Sequence, residues 1–339
     1  MTAAWAIRAG AHPHEAGGHV TRCILLAQAL AADAAVTLVL DSDAPVALRA
    51  RAASVAPVTT PAEALLQPWE GAVLDGYVFP LAEWQSWRQR ADVVACLCDS
   101  AMAETPLAAG AIELVVAPWA TARRPGEHVL AGIENALVDP RFAALPGRMT
   151  SEVVCRVLVT FGMRDSKNMT GLALRALAML RDRGFAPSVD VTLGPTAPHA
   201  AEVHACLKVF GQDAELHVDS EAMDRLLNRA DLVVGGGGVS LLERLAAGVP
   251  SLTVPLSPGQ APAVAAASAA GATSATERPE TLTVAALADD VAMLANDRRR
   301  RAAMAAAGRS LVDGRAAERV AAVLLALAKQ AQRRTAGMA

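Results

Sequence analysis

The sequence predicts an α/β protein made of two Rossmann-like, doubly wound parallel-sheet domains. Three observations carry that prediction. Short apolar, β-branched runs recur along the chain, separated by segments of helical periodicity. The runs are apolar throughout rather than alternating, as expected of strands covered on both faces. The pattern occurs twice, each time opening with a strand, a glycine-containing loop and a helix.

The first run is "AWAI", followed by a loop and then Val20, Cys23, Ile24 and Ala27, which fall at i, i+3, i+4 and i+7 on one helix face. "VTLVL" (36–40), "GAVLD" (71–75), "VVACLC" (93–98) and "ELVVAP" (113–118) read as further buried strands. Residues 126–148 lose the rhythm and carry Pro140, Pro146 and Gly147, so they read as a linker. The rhythm restarts with "VVCRVLVTFG" (153–162) and a helix over about 168–183, then "SVDVTLG", "AELHV", "DLVVGGGG" and "PSLTVPL". The last helix is expected over about 316–331, before a frayed tail. These readings give an N-terminal domain at 1–147 and a C-terminal domain at 148–339, with the last helix a candidate to pack back on the first domain. Open parallel sheets bind ligands at the carboxyl ends of their strands, so the chemistry is expected in a cleft faced by both sheets.

Composition excludes several classes. The 31 basic and 34 acidic residues leave a net charge of −3, with no basic surplus for a nucleic-acid backbone. The one dense run, Arg298–Arg301, reads as a solvated helix start. Five cysteines, odd in number and without a CxxC pair, spell neither a zinc site nor a disulfide framework. The longest unbroken apolar run, "VAAVLLALA", is far below the ~20 residues a membrane helix needs, and no signal peptide is apparent. A cytoplasmic protein without a membrane span is expected. Oligomeric state is not readable.

The strongest chemical signal is "ADLVVGGGGVSLLERLAAGVPSLTVPL", residues 230–256. A strand ends in four glycines and a helix begins at once. Gly236, Gly237, Gly238 and Val239 offer amides and the positive helix pole to a diphosphate. Ser240 is a candidate cap or hydroxyl ligand. Glu243, one turn in, suits a two-point grip on neighbouring ribose hydroxyls. In "VTFGMRDSKNMT", Gly162, Ser166 and Asn168 are candidate diphosphate ligands, while Asp165 or Ser166 is equally an ordinary helix cap. In "EAGGHVTRC", Gly17, Gly18 and His19 open the first helix, and Arg22 follows one turn on, as a phosphate ligand or a structural ion pair. An imidazole is well suited to proton transfer near neutral pH. His128, His199, His204 and His217 read as surface or core residues, and a metal site at His12 and His14 would need a third ligand such as His19, so no metal and no cofactor are expected.

These segments together resemble the UDP-sugar hydrolases of pseudaminic (nonulosonic) acid biosynthesis and the related spore-coat polysaccharide proteins. The family pattern "GxGHxxRCxxLA" is similar to "GGHVTRCILLA" (17–27), and its "SFGGxDPxN" to "TFGMRDSKN". Its "ADLxIGAGGxSxWERxxxGxPS" resembles residues 230–251, and its "DGxGAxRV" resembles "DGRAAERV" (313–320), so the likeness spans almost the whole chain. The resemblance implies the two-domain glycosyltransferase-B fold. It also implies metal-free hydrolysis of a UDP-linked diacetamido-trideoxy hexose to free sugar and UDP. His19 would be the essential acid/base and Tyr77 would place the water. Glu243 would hold the ribose, Gly237, Gly238 and Val239 the diphosphate, and Gln260 would remain in the site. Departures fall on the sugar side: Gly10 and His12 replace an aspartate and a serine, Met163 a glycine, Ser100 an aspartate and Gly259 an asparagine. A UDP-sugar glycosyltransferase of the same fold, and a non-catalytic nucleotide-sugar binding protein, stay open as alternatives.

Overall fold

A computed structural model describes residues 4–10, 18–76, 79–97, 110–118, 129–147, 149–218, 222–276 and 280–337. The chain divides into two compact units, Met1–Val138 with Arg315–Ala339, and Asp139–Gly314.

The first unit is a parallel sheet of seven strands: β1 (Ala4–Ala9), β2 (Ala35–Val39), β3 (Val58–Thr59), β4 (Trp69–Asp75), β5 (Ala91–Leu97), β6 (Leu114–Ala117) and β7 (Val129–Ala131). Their spatial order is β3-β2-β1-β4-β5-β6-β7. Successive residues of β1 point to opposite faces, and both faces are covered. Trp5 and Ile7 join Leu26, Leu38, Val73, Val320 and Leu324 in one core layer. Ala6 joins Trp69, Trp84, Trp87 and Val94 in the other. Each such fully buried large side chain contributes about 1.5–3 kcal/mol. The first layer is roofed by the helix Gly18–Leu30 and by the last helix, Ala316–Gly337.

The second unit is a parallel sheet of six strands: β8 (Arg156–Thr160), β9 (Ser188–Leu193), β10 (Ala214–Val218), β11 (Leu232–Gly236), β12 (Ser251–Val254) and β13 (Ser274–Ala275). Their order is β10-β9-β8-β11-β12-β13. Val157, Val159, Val191, Leu232 and Leu252 pack with Leu174, Leu177 and Leu287 of the covering helices. In each sheet the chain winds outward from a central strand in one direction and then in the other. The switch points lie between β1 and β4 and between β8 and β11, where doubly wound sheets leave a crevice at their carboxyl ends.

Several expectations need correction. The supposed linker contains β7, the 3-10 turn Ile133–Asn135 and the short helix Pro140–Ala143. The unit boundary falls at Val138 rather than 147; the last helix, the candidate to pack back on the first domain, does lie in the first unit. That helix also continues through the "QRRTAG" stretch expected to fray, whose Gln and Arg residues are good helix formers. The arginine run is not wholly solvated. Arg301 has 0 % exposure and donates to the carbonyls of Leu294, Ala295, Ser151 and Glu152, closing the end of the preceding helix, Val284–Asn296. Cys96 is disulfide-bonded, whereas Cys23, Cys155 and Cys206 are free thiols. No helix among the described residues is long and apolar enough to cross a membrane.

Candidate active site

At the switch point of the first sheet, β1 and β4 run side by side with Ala9 opposite Asp75. The helix following β1 starts at Gly18 and carries His19 and Arg22 on one face, three residues apart. Both side chains converge on Asp75, the last residue of β4. His19 Nδ1 lies 2.6 Å from Asp75 Oδ1, Arg22 Nη2 donates to the same oxygen at 2.6 Å, and Arg22 Nε donates to Oδ2 at 2.9 Å. Asp75 has 0 % exposure and His19 6 %. A buried carboxylate requires such partners, because an unpaired charge in a low-dielectric interior is costly. The carboxylate also contributes, after burial itself, to pushing up the neighbouring Cys23 thiol.

His19 is therefore packed at the helix start and oriented by a carboxylate. Sequence reasoning passed over Asp75, whose signal was a carboxylate closing the buried run "GAVLD" at the strand's carboxyl end. Beside this group, Arg8 is clamped by Asp41 and Glu83, at 2.7 and 3.0 Å, and its guanidinium lies 4.9 Å over the ring of Phe79. Arg8 thus ties the ends of β1 and β2 to the helix Leu81–Arg88. Gly17 and Tyr77 lie outside the described residues.

At the switch point of the second sheet, two strand-to-helix turns stand side by side, since Thr160 of β8 pairs with Gly235 of β11. Their helices differ. The helix Met169–Arg181 is filled at its start by its own side chains. Asp165 accepts from the amides of Met169 and Thr170, both at 2.9 Å, and Asn168 accepts from Gly171. Burial pushes the Asp165 carboxyl up while those amides hold it down. Asn168 is thus the helix cap and also donates to Glu202. Gly162, at φ +85, has open space beside it.

The helix Val239–Ala247 begins at Gly238 with no side-chain cap. The glycines before it differ in what they face. A Cβ on Gly235 would meet the carbonyl oxygen of Thr160 at 2.5 Å, and one on Gly237 would meet Val264 at 2.4 Å, so these two are required by packing. One on Gly238 would meet nothing closer than Gln260 Nε2 at 3.4 Å. Gln260 braces the loop by accepting from the amides of Gly237, at 3.2 Å, and Leu256, at 2.9 Å. Ser240 is neither cap nor idle, since its hydroxyl accepts from Arg244 at 3.0 Å. Arg244 itself is fully buried and also donates to the Gly236 carbonyl and Thr253. Burial pushes its guanidinium down to about 9, leaving a cation beneath the glycine loop at neutral pH.

Glu243 is half-buried and makes no hydrogen bond or ion pair among the described residues. Burial pushes its carboxyl up to about 7, against the opposing pull of Arg244 and Arg141. An acceptor left unpartnered on the helix behind the glycine loop is the geometry a hydroxyl-bearing ligand would complete.

One further cluster has metal-ligand spacing, Asp190, Glu215 and His217, correcting the expectation that His217 lacks partners. Arg229 Nη2 already sits among them, bonded to Asp190, 3.0 Å from Glu215 and 3.2 Å from His217, and Arg156 pairs with Asp190 from the other side. The guanidinium occupies the place a cation would take.

No protein-family profile matches the chain, and no curated protein matches it in sequence. Solved structures do match over nearly its whole length. MurG of Acinetobacter baumannii superposes with a TM-score of 0.69 at 15% identity, covering 96% of this chain and 99% of that one. The chain has the glycosyltransferase-B fold. Calicheamicin glycosyltransferase CalG4 gives 0.62 at 18% identity, over 96% of this chain and 98% of that one. The UDP-GlcNAc 2-epimerase of Neisseria meningitidis, solved with UDP-GlcNAc bound, gives 0.64 at 11% identity, over 95% and 99%. At such identities the likeness establishes the glycosyltransferase-B fold alone, and function rests on the two switch-point sites.

Proposed function

We propose that this chain is a nucleotide-sugar hydrolase that cleaves a UDP-linked diacetamido-trideoxy hexose to free sugar and UDP, in nonulosonic acid or related surface-glycan synthesis. The observation that carries the reading is the His19–Asp75 pair at the switch point of the first sheet, 2.6 Å apart and shielded from bulk water. The second unit supplies the nucleotide end. The Gly238 and Val239 amides receive the diphosphate at an uncapped helix, and Glu243 accepts from the ribose hydroxyls. Solved neighbours that carry UDP or UDP-GlcNAc support the choice of nucleotide.

The chemistry follows from the charges. With a proton on Nδ1 held by Asp75, Nε2 is the basic nitrogen of the ring. It takes a proton from water as the water oxygen bonds to the anomeric carbon. The bond from that carbon to the diphosphate oxygen breaks, and the electron pair leaves with UDP, its charge met by the helix amides. Metal ions have no assigned role, so turnover is expected to survive chelation. Glycosyl transfer is the second reading, supported by glycosyltransferases such as CalG4 among the neighbours in the same fold.

The test is incubation with a panel of UDP-linked amino sugars without any acceptor, followed by mass spectrometry for UDP and free sugar. Release that stops in His19→Ala, with UDP binding retained, supports the hydrolase. Release only after adding an acceptor assigns a transferase, and UDP binding without turnover assigns a binding protein.

A further inference from the structure

We infer that Arg22 is a positioning residue that fixes the His19 ring in its Nδ1–H form through Asp75, rather than a ligand of the diphosphate. The inference rests on the role proposed above for His19, and its geometry is independent of which sugar is cleaved.

Asp75 is fully buried, and the planar guanidinium of Arg22 grips both of its oxygens, Nε on Oδ2 at 2.9 Å and Nη2 on Oδ1 at 2.6 Å. Such a fork fixes the plane of a carboxylate as well as its position. Oδ1 is shared with His19 Nδ1 at 2.6 Å, and Nη2 stands 2.9 Å from that same nitrogen. Two nitrogens therefore meet at one oxygen. Each Asp75 oxygen already accepts from Arg22 and so faces its neighbours as an acceptor. The 2.6 Å contact between Oδ1 and Nδ1 is a hydrogen bond only if Nδ1 carries the hydrogen; with the hydrogen on Nε2, Oδ1 and Nδ1 would face one another as acceptors and Nδ1 would accept from Arg22 Nη2 instead. Arg22 thereby dictates the tautomer that leaves Nε2 basic.

The same geometry argues against a phosphate role. The Arg22 side chain is 20% exposed while its partner is wholly buried. Swinging the fork to a phosphate would strand the Asp75 charge in the interior. His19 and Arg22 sit three residues apart on one helix, so a single element delivers both groups to the end of β4.

The experiment uses the full chain with ¹⁵N-labelled histidine, as wild type, Arg22→Gln and Arg22→Lys. Wild type is expected to show the His19 ¹⁵N pattern of the Nδ1–H tautomer. Arg22→Gln is expected to move it toward a mixture, and Arg22→Lys, which keeps the charge without the fork, to lie between. Calorimetric UDP affinity should stay within about twofold, while kcat falls by about 10- to 100-fold with little change in KM. Arg22→Gln with an unchanged tautomer pattern, or with UDP binding weakened about tenfold or more, overturns the inference. If Arg22→Gln does not fold, Arg22→Lys carries both measurements. The spectroscopic arm needs no turnover, so it still decides the role of Arg22 if no UDP-sugar proves to be a substrate.

Discussion

Replacing Asp75 with Asn preserves shape and removes charge. The wild-type carboxylate has 0 % exposure and accepts from His19 once and from Arg22 twice. An amide converts one of the two acceptors into a donor, which then faces either Arg22 Nε or the His19 Nδ1 hydrogen. Breaking one side of a fully buried ion pair costs about 3–5 kcal/mol. Arg22 is partly exposed and regains some hydration, so we place the loss at about 2–3 kcal/mol. For a unit of this size, each kcal/mol lowers the melting temperature by about 2–4 °C, giving a fall of about 4–12 °C. Differential scanning calorimetry reads the fall, and UDP release from the nucleotide-sugar panel reads the lost orientation, expected at about 100-fold or more. A melting temperature within about 1 °C of wild type, together with undiminished turnover, would refute both the buried pairing and its chemical use.

Glu243→Ala is expected to weaken UDP binding by about 1–3 kcal/mol, measured by calorimetry. The carboxyl titrates near 7 when no nucleotide is bound. Ribose hydroxyls prefer the ionised form, so affinity should rise with pH by up to about tenfold per unit below 7 and level off above 8, and Glu243→Gln should abolish that slope. A wild-type affinity flat from pH 5 to 8 speaks against the ribose role. Gly235→Ala is expected to lose about 1–3 kcal/mol of stability, because its Cβ would press on the Thr160 carbonyl. Gly238→Ala should melt like wild type yet bind UDP more weakly, since its Cβ projects into the space assigned to the diphosphate. Equal UDP affinity in Gly238→Ala removes that assignment.

The longer strands were legible because an apolar run covered on both sides has one reading at that length. β3, β7 and β13, at two or three residues, are too short to show any period, so β7 disappeared into a supposed linker. The glycine run and His19 could be found because their spacing is local. Asp75 could not be tied to His19, since the pairing exists only once β4 lies beside β1, fifty-six residues away in sequence. Arg301 was misjudged for the same reason: what draws it inward is a set of carbonyls that includes Ser151 and Glu152, far upstream. In the Val159–Thr170 loop, sequence left capping and ligand binding balanced. The competition was decided for Asp165 and Asn168 by backbone amides within reach of each.

The chain leaves its first unit at Val138 and rejoins it at Arg315, whereas Asp139–Gly314 is one uninterrupted stretch. On a ribosome, the uninterrupted stretch has all its parts in hand first. The other must wait, its apolar wall of Leu26, Leu30 and Val73 still unroofed, until Val320, Leu324 and Ala328 emerge after that stretch. A nonsense codon between Gly314 and Val320 would therefore spare the unit Asp139–Gly314 and leave the apolar wall of the unit that carries His19 uncovered.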